Sequence, residues 1–371
     1  MDTPNAAASA NVPPPAVTAA PAVSSPATTP AEDMVLLSSW ASMIAFDRRA
    51  LKLKQDFIDR RRQVIFLSLA ATCFSALSAL AAALSIGSPL TTPFAILGVI
   101  LATALIFLRD DVNEFSKTTT WINLRYISEL MRTELYLYRM RAGQYRNQPD
   151  DVADDLLGAA IEKIQDDSTR GDSGLIGVSD TTSVEGQRQL LIAAGEIQPK
   201  QPVLKDLDFD IYKKTRMDGQ KEWYDHKIIN DYALHRRSSR ASRVAIGVGA
   251  VAAAVGLASN PQFAVLITIT TALSVAITSD SNVNMFGKTY GLFQKASQDL
   301  GNLNRRWLAK QNNPNMDTPE KWIEVERDFV EQVEKIAATE REAWHDLVIN
   351  IQTISDGTIV PSNPKDQPPH S

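Results

Sequence analysis

Four apolar stretches in two closely spaced pairs constrain this chain more than any other feature. They run approximately over Val64–Ile86, Leu90–Leu108, Val244–Ala258 and Phe263–Thr278, and none contains Asp, Glu, Lys or Arg. About 20 consecutive apolar residues are needed to cross a bilayer as a helix. The first two stretches reach that length, and the fourth is borderline. The pattern predicts an all-α membrane protein with two helical transmembrane hairpins, each flanked by amphipathic cytoplasmic helices.

The second apolar pair leaves two interpretations open. Its first stretch is short, and Gly247, Gly249 and Gly256 lower its helix propensity. Such a segment could span a thinned bilayer, re-enter it, or insert only on assembly. The alternative is a buried hairpin within a soluble helical unit.

The polar segments around the two pairs divide the chain into six parts. These are a disordered Ala/Pro/Ser/Thr tail (1–32), a two-transmembrane unit (33–146), an acidic linker with short helices (147–219), a second two-transmembrane unit (220–313), an amphipathic C-terminal helix (314–352) and a disordered tail (353–371).

Helical periodicity and turn residues place individual helices within these parts. The first helix is expected to begin near Ala31–Glu32–Asp33. The other predicted helices are Val112–Arg146, Val152–Ile164, Val184–Ala194, Trp223–Arg240, Asp280–Gln311 and Pro319–Ile351.

Basic residues cluster on one side of each apolar pair, while the turns at 86–93 and 258–262 carry no charge. By the positive-inside rule, both basic sides face the cytoplasm. We therefore expect a multi-pass integral protein of the plasma or inner membrane, with N- and C-termini cytoplasmic. The clusters are Arg48, Arg49, Lys52, Lys54, Arg60, Arg61 and Arg62 before the first pair, and His235, Arg236, Arg237, Arg240 and Arg243 before the second.

The residues that usually carry catalysis or bind metals are sparse. The chain has four histidines and one cysteine, Cys73, and none of them lies at metal-ligand spacing from another. It has no Gly-rich phosphate loop of the Walker or dinucleotide type. We expect no enzyme, no cofactor and no metal. A net charge of -5 without a basic tract does not favour nucleic acid as a partner.

Hydroxyl side chains recur at three- and four-residue steps within two apolar stretches. They are Ser68, Thr72 and Ser75 in the first stretch, and Thr270, Ser274 and Thr278 in the fourth. Small residues allow close helix packing in lipid, so these faces could be packing surfaces. Alternatively, they could line a narrow polar path in a homo-oligomer. The absence of intramembrane charge argues against a pump or coupled transporter.

The helix predicted after the first pair carries a specific motif. Trp121, Arg125 and Glu129 are four residues apart, so that Arg125 can pair with Glu129 and stack on Trp121. The aromatic residues favour either a protein interface or packing against the preceding helix. The motif consists of Trp121, Arg125, Glu129, Leu130, Glu134, Tyr136, Tyr138, Ala142, Gly143 and Tyr145.

Directly after a two-span hairpin, this motif resembles the DUF4231 family over about 33–146. That family is related to the SLATT domains, two-transmembrane effector domains linked to SMODS nucleotidyltransferases and SLOG sensors. The architecture of residues 220–313 resembles a second SLATT-type unit, although it lacks a counterpart of the Arg125–Glu129 pair. The resemblance implies a membrane effector of a conflict system, and it brings no catalytic residues.

Two functions remain open at this point. The first is an oligomeric membrane protein whose cytoplasmic helices control a pore or membrane disruption, triggered by a nucleotide signal or a sensor protein. The second is a non-conducting scaffold, anchored in the lipid bilayer, that recruits cytoplasmic partners through its amphipathic helices.

Overall fold

The chain folds into helices in every part that the structure describes. This computed structural model describes residues 33–83, 92–105, 120–169, 183–198, 205–256, 262–283, 286–312 and 318–355. Within these ranges there is no strand, which confirms the predicted all-α class. The helices are α1 (Met34–Ala83), α2 (Thr92–Leu105), α3 (Thr120–Arg139), α4 (Asp150–Thr169), α5 (Val184–Ala194), α6 (Phe209–Tyr212), α7 (Gly219–Gly256), α8 (Gln262–Val283), α9 (Phe286–Gln311) and α10 (Pro319–Ser355).

Helix α1 runs without interruption from the polar N-terminal segment into the first apolar stretch. It has 50 residues, which corresponds to about 75 Å at 1.5 Å per residue. Asp33 caps its first turn, because the Asp33 carboxylate accepts a hydrogen bond from the Leu36 amide at 2.9 Å. The predicted start is therefore confirmed. The helix contains neither Pro nor Gly, the residues at which helices usually kink.

Among the described helices, α1 alone is long and apolar enough to cross a membrane, with a window of mean hydropathy 2.1. Helix α2 and the Val265–Thr278 part of α8 are shorter apolar helices. Four complete spans therefore stay a prediction. The tight turns predicted between the stretches, the long N-terminal tail and residues 356–371 lie outside the described residues.

Each apolar pair forms a helical hairpin with a close approach at a glycine. In the first, the rings of Phe74 and Phe94 stack at 6.2 Å, and a Cβ at Gly98 would lie 2.9 Å from Ser75 Oγ. In the second, a Cβ at Gly249 would lie 2.7 Å from Thr270 Oγ1. The two hairpins contact each other through α1 and α8.

The helical segments outside the apolar stretches enclose two main hydrophobic cores. The first lies among α1, α3, α4 and α5, and the second lies among α6, α7, α9, α10 and the end of α3. Helix α3 contributes to both cores, so it is the structural centre of this polar part of the chain. Fully buried residues of the first core include Leu36, Met43, Leu124, Met131 and Leu157, and those of the second include Tyr212, Met217, Tyr224 and Val330.

Helix α3 ends at Arg139, earlier than the predicted Arg146. Arg141 adopts a left-handed conformation with φ 50°. The amides of Arg141 and Ala142 donate to the Tyr138 and Leu137 carbonyls at 3.0 and 2.9 Å, the bonding pattern of a Schellman cap. Glycine usually occupies this position. Because arginine occupies it here, the sequence carries no local signal for the end of α3. The Arg141 guanidinium instead lies over the Tyr138 ring and pairs with Asp150.

Other boundaries shift by smaller amounts. Helix α8 continues to Val283 and α9 begins at Phe286, so the predicted start at Asp280 is wrong. Helix α10 extends to Ser355 and takes in the first residues of the predicted tail. The two linker helices are present as α4 and α5. A π-helical segment, Lys213–Asp218, joins α6 to α7 and was not predicted.

Candidate functional site

The most buried ion pair among the described residues joins the segment before α7 to α10. Arg216 lies in the π-helical segment, and Glu334 lies on α10. The guanidinium donates two hydrogen bonds to the carboxylate, from Nε at 2.9 Å and from Nη2 at 2.8 Å. The Arg216 and Glu334 side chains are only 4% and 2% exposed. This bidentate geometry is the strongest form of an Arg–carboxylate contact.

Further groups complete the coordination of Glu334. The Tyr212 hydroxyl donates to Oε1 at 3.0 Å, and the Thr133 hydroxyl donates to Oε2 at 3.2 Å. The Arg216 guanidinium also lies 5.2 Å from the centre of the Tyr136 ring. Residues of α3, α6, the π-helical segment and α10 thus meet at one carboxylate.

The π-helical segment holds Arg216 in its buried position beside α10. A π turn widens the helix by one residue and often marks a functional position. Both Arg216 and Met217 are buried, whereas Lys214 and Thr215 are exposed. The adjacent α6 is capped by Asp208, whose carboxylate accepts from the Asp210 and Ile211 amides at 2.9 and 3.2 Å. The segment is thus held at its N-terminal side by a capped turn.

A second group of charges lies next to this pair, on α3 and α1. Glu129 binds Arg125 at 2.6 Å and Arg132 at 2.9 Å. Arg125 also pairs with Asp47 of α1, and Arg132 approaches Asp47 at 3.9 Å. The predicted Arg125–Glu129 pair is therefore present. The predicted stacking partner of Trp121 differs, because Lys54 lies over its ring at 5.6 Å and Trp344 packs against it.

The two groups of charges are connected. Arg216 Nη1 lies 4.0 Å from Glu129 Oε2, and Arg341 of α10 donates to the Glu129 carbonyl and the Thr133 hydroxyl, both at 3.2 Å. We call Asp47, Arg125, Glu129, Arg132, Arg216 and Glu334 the central network. It links α1, α3, the π-helical segment and α10 through contacts between residues as much as 118 positions apart.

The electrostatics of the central network favour its charged forms. Burial alone would raise the pKa of Glu129, but Arg132, Arg125 and Arg216 outweigh burial and lower it to about 2. Burial opposes the charge of Arg216, yet Glu334 raises the pKa of its guanidinium well above the ordinary value. Inside the fold, the attraction between the partners of an ion pair offsets the cost of burying both charges. Removing one partner therefore leaves an uncompensated buried charge.

Glu340 lies about one and a half turns beyond Glu334 on α10. Of the groups at this site, it has the pKa closest to neutral pH. Burial raises its pKa to about 7. The hydrogen bond from the Tyr224 hydroxyl, at 3.1 Å, opposes the rise, and the charge of Glu129 adds to it. Arg125 and Arg341 also favour the charged form of Glu340.

The titration of Glu340 predicts a pH dependence of stability. Its pKa is 4.5 without perturbation and about 7 in the fold, so between these values the folded chain binds the extra proton. Stability should therefore fall by up to about 3 kcal/mol as pH rises from about 4.5 to about 7. Glu340→Gln should remove this contribution. Thermal unfolding of both proteins from pH 5 to pH 8 measures it, and identical slopes would contradict it.

The remaining motif residues pack inside the chain. Trp121, Tyr138, Ala142 and Tyr145 are buried, and Leu130 and Tyr136 are half-buried. The Tyr138 hydroxyl lies within 2.7 Å of Asp33 and 2.6 Å of Asp154, and burial together with these two carboxylates raises its pKa. Glu134 accepts from Tyr145 at 2.8 Å. Of the two interpretations, packing within the chain describes these aromatic residues.

The turn after α3 docks onto α10 through its exposed edge. The Gly143 amide donates to Glu331 at 2.8 Å, and Gly143 itself has φ 60°. Arg146 binds Glu324, Asp328 and Glu331 at 2.7, 2.8 and 2.7 Å. These contacts form a second, more exposed attachment between the same two parts of the chain.

The hydroxyl residues of the apolar stretches separate into two groups. Thr270 and Ser274 are buried, and Ser242 of α7 bonds Ser274 at 2.8 Å and Thr278 at 3.3 Å. These three residues of α8 face α7. Ser68 is exposed, and the Thr72 hydroxyl donates to the Ser68 carbonyl at 2.9 Å. Ser75 meets α2 at Gly98.

Sequence reasoning missed Arg216, Glu334 and Glu340. Arg216 was assigned to a linker, and Glu334 and Glu340 are acidic residues on an amphipathic helix with many others. One available signal was position. On α10, Glu334 falls on the same side as Val330 and as Val333 of the predicted apolar face, so a carboxylate interrupts an apolar surface. Such an interruption is a reason to look for a buried partner.

Two family models match the chain. Residues 52–153 match the family described as "Protein of unknown function (DUF4231)", and residues 212–344 match the SLATT_1 family, "SMODS and SLOG-associating 2TM effector domain 1". The chain thus contains one region similar to each family, and we call these two regions the DUF4231 segment and the SLATT_1 domain. Both predicted resemblances are therefore confirmed. Comparison with curated proteins and with solved structures found no match.

The central network bridges these two segments. Arg125, Glu129 and Arg132 lie in the DUF4231 segment, whereas Arg216 and Glu334 lie in the SLATT_1 domain. The two-transmembrane effector class of the SLATT_1 domain and the apolar helix α1 together indicate membrane association. The site is thus an internal junction between the two matched segments.

Proposed function

We propose that the protein is a non-enzymatic membrane effector that permeabilises the bilayer as a homo-oligomer, under the control of its cytoplasmic helices. In this proposal both hairpins insert, with the N- and C-termini in the cytoplasm. The observation that supports it most directly is the central network, which ties the DUF4231 segment to the SLATT_1 domain at a buried, fully paired junction.

The junction lies on helices that continue into the apolar stretches. Asp47 and the first apolar stretch are on α1, and α7 starts directly after the segment that holds Arg216. Neither helix contains proline. Because each of these helices is continuous between the junction and its apolar stretch, a change at the central network would move the hairpins.

A trigger would have to act on this junction. SLATT_1 is described as associating with SMODS and SLOG, so we propose that a nucleotide signal or a separate sensor protein supplies it. The ligand must bind the rearranged junction more tightly than the resting one, because a ligand with equal affinity for both states shifts nothing.

Dye release from liposomes tests this function. The purified full chain, reconstituted with entrapped carboxyfluorescein, is expected to release dye, and Glu334→Gln is expected to release it faster because the resting junction is weakened. Glu342→Gln, an exposed carboxylate on the same helix, is the matched control and should behave like the unaltered protein. A homogeneous oligomer that never releases dye, with or without candidate nucleotides, would contradict the proposal and favour a scaffold.

A further inference from the structure

Four arginines on α7 form an exposed basic surface at the edge of the second apolar pair. Arg236, Arg237, Arg240 and Arg243 are all exposed, and no acidic residue occurs between Asp231 and Asp280. On the first hairpin, Arg60, Arg61 and Arg62 directly precede the apolar stretch at Val64. We call these seven residues the basic collar.

Hydrogen bonds place the α7 arginines at the end of the apolar part of α8. Ser238 donates to the Ile277 carbonyl at 3.4 Å, and Ser242 bonds Ser274 and Thr278. Successive helix residues turn by about 100°, so Arg236, Arg240 and Arg243 project from the side of α7 opposite Ser238. They therefore point away from α8, at the depth where its apolar run ends.

The arginines of α1 lie at a similar depth. Helices α1 and α7 both contact α8, and the charges of Lys227 and Asp231 on α7 affect Lys54 of α1. From Lys54 to the start of the first apolar stretch the rise is about 14 Å, and from Asp231 to Arg243 it is about 18 Å. These two rises differ by about 4 Å, which is less than one helical turn. The arginines of α1 and α7 therefore lie at similar depths.

We propose that the basic collar binds the headgroups of anionic phospholipids in the membrane that holds the hairpins. The positive-inside rule, which orients a chain in the membrane, requires only that its basic residues lie on one side of the membrane. The collar has a further feature: cations from two distant segments lie at a similar depth, six of the seven are exposed, and on the α7 side no acidic residue occurs between Asp231 and Asp280. Asp56 and Asp59 are the carboxylates closest to it in sequence, and Gln55 donates to Asp59 at 2.9 Å. Clusters of four to eight basic residues next to a spanning helix are typical of anionic lipid binding.

Selective lipid retention tests this inference, which rests on the proposed insertion of both hairpins. The full chain is reconstituted in nanodiscs with equal amounts of phosphatidylcholine and phosphatidylglycerol, extracted in mild detergent, and its bound lipids are quantified by mass spectrometry. The quadruple change Arg236→Gln, Arg237→Gln, Arg240→Gln and Arg243→Gln should reduce the phosphatidylglycerol enrichment by at least tenfold, because each arginine near an anionic surface contributes about 1 kcal/mol. The four corresponding Arg→Lys changes should preserve most of it.

A matched control removes the same charge elsewhere. Lys295→Gln, Arg305→Gln, Arg306→Gln and Lys310→Gln change four exposed residues of α9, and enrichment should persist. Equal enrichment in the collar variant and the unaltered chain would overturn the lipid inference alone. Displacement of the lipid by inorganic phosphate at equal concentration would assign the collar to a free anion and also overturn it. Release of the chain from membranes by alkaline carbonate would instead contradict the insertion on which both proposals depend.

Discussion

Replacing Glu334 by leucine is expected to destabilise the helices around the central network by about 3–5 kcal/mol. The change leaves Arg216 charged inside a site where it is only 4% exposed, and it also removes the acceptor of the Tyr212 hydroxyl. A buried guanidinium without its carboxylate loses the interaction that compensated its desolvation. Thermal unfolding of the full chain in detergent, followed by circular dichroism, measures the loss.

Two further variants separate an unpaired charge from lost packing. The double change Arg216→Met with Glu334→Leu removes both charges, so it should be distinctly more stable than Glu334→Leu alone. Glu342→Leu alters an exposed carboxylate on the same helix, and its effect should stay within about 0.5 kcal/mol. If the double variant were as unstable as the single one, the charge argument would be wrong and packing would explain the effect.

The largest effect expected in the apolar hairpins is that of Gly249→Leu. A Cβ at this position would lie 2.7 Å from Thr270 Oγ1, and Thr270 is held in place because its hydroxyl donates to the Leu266 and Ile267 carbonyls at 2.9 and 3.0 Å. Threonine also has few alternative rotamers on a helix. Helices α7 and α8 must therefore separate, at a cost of about 1–3 kcal/mol. Unfolding by titration with sodium dodecyl sulfate measures this cost.

A neighbouring glycine provides the control. A Cβ at Gly247 meets no atom within 4 Å, so Gly247→Leu should stabilise the helix slightly through its higher propensity. Combining Gly249→Ala with Thr270→Ala should relieve the contact, because the obstructing oxygen is gone. Similar unfolding curves for Gly249→Leu and Gly247→Leu would show that the close approach of α7 and α8 does not matter.

Much of the helical framework could be predicted from the sequence. The start of α1 at Asp33, the helix Val184–Ala194 and the start of α10 at Pro319 all lie where local signals placed them. Each depends on neighbouring residues alone: a capping side chain, a turn or an apolar period. The family assignment likewise depended on motif residues within one short segment.

Ends without a local signal were less predictable. The end of α3 uses Arg141, a residue that ordinarily avoids positive φ. Tertiary contacts support it, because Arg141 packs on Tyr138 and pairs with Asp150. The π-helical segment is similar, since the widened turn is coupled to the burial of Arg216 beside α10.

The sequence by itself therefore determined the all-α class, the two apolar hairpins, the short-range pair Arg125–Glu129 and the resemblance to two families. These features follow from residue types repeated within a few turns of one helix. Only the tertiary structure decided which charges meet. Glu334 pairs with Arg216, which is 118 positions away in the sequence, and Arg125 pairs with Asp47, which is 78 positions away. The sequence does not distinguish the acidic residue that becomes buried from its exposed neighbours on the same amphipathic helix. Only packing buries it, and a buried carboxylate requires a specific partner.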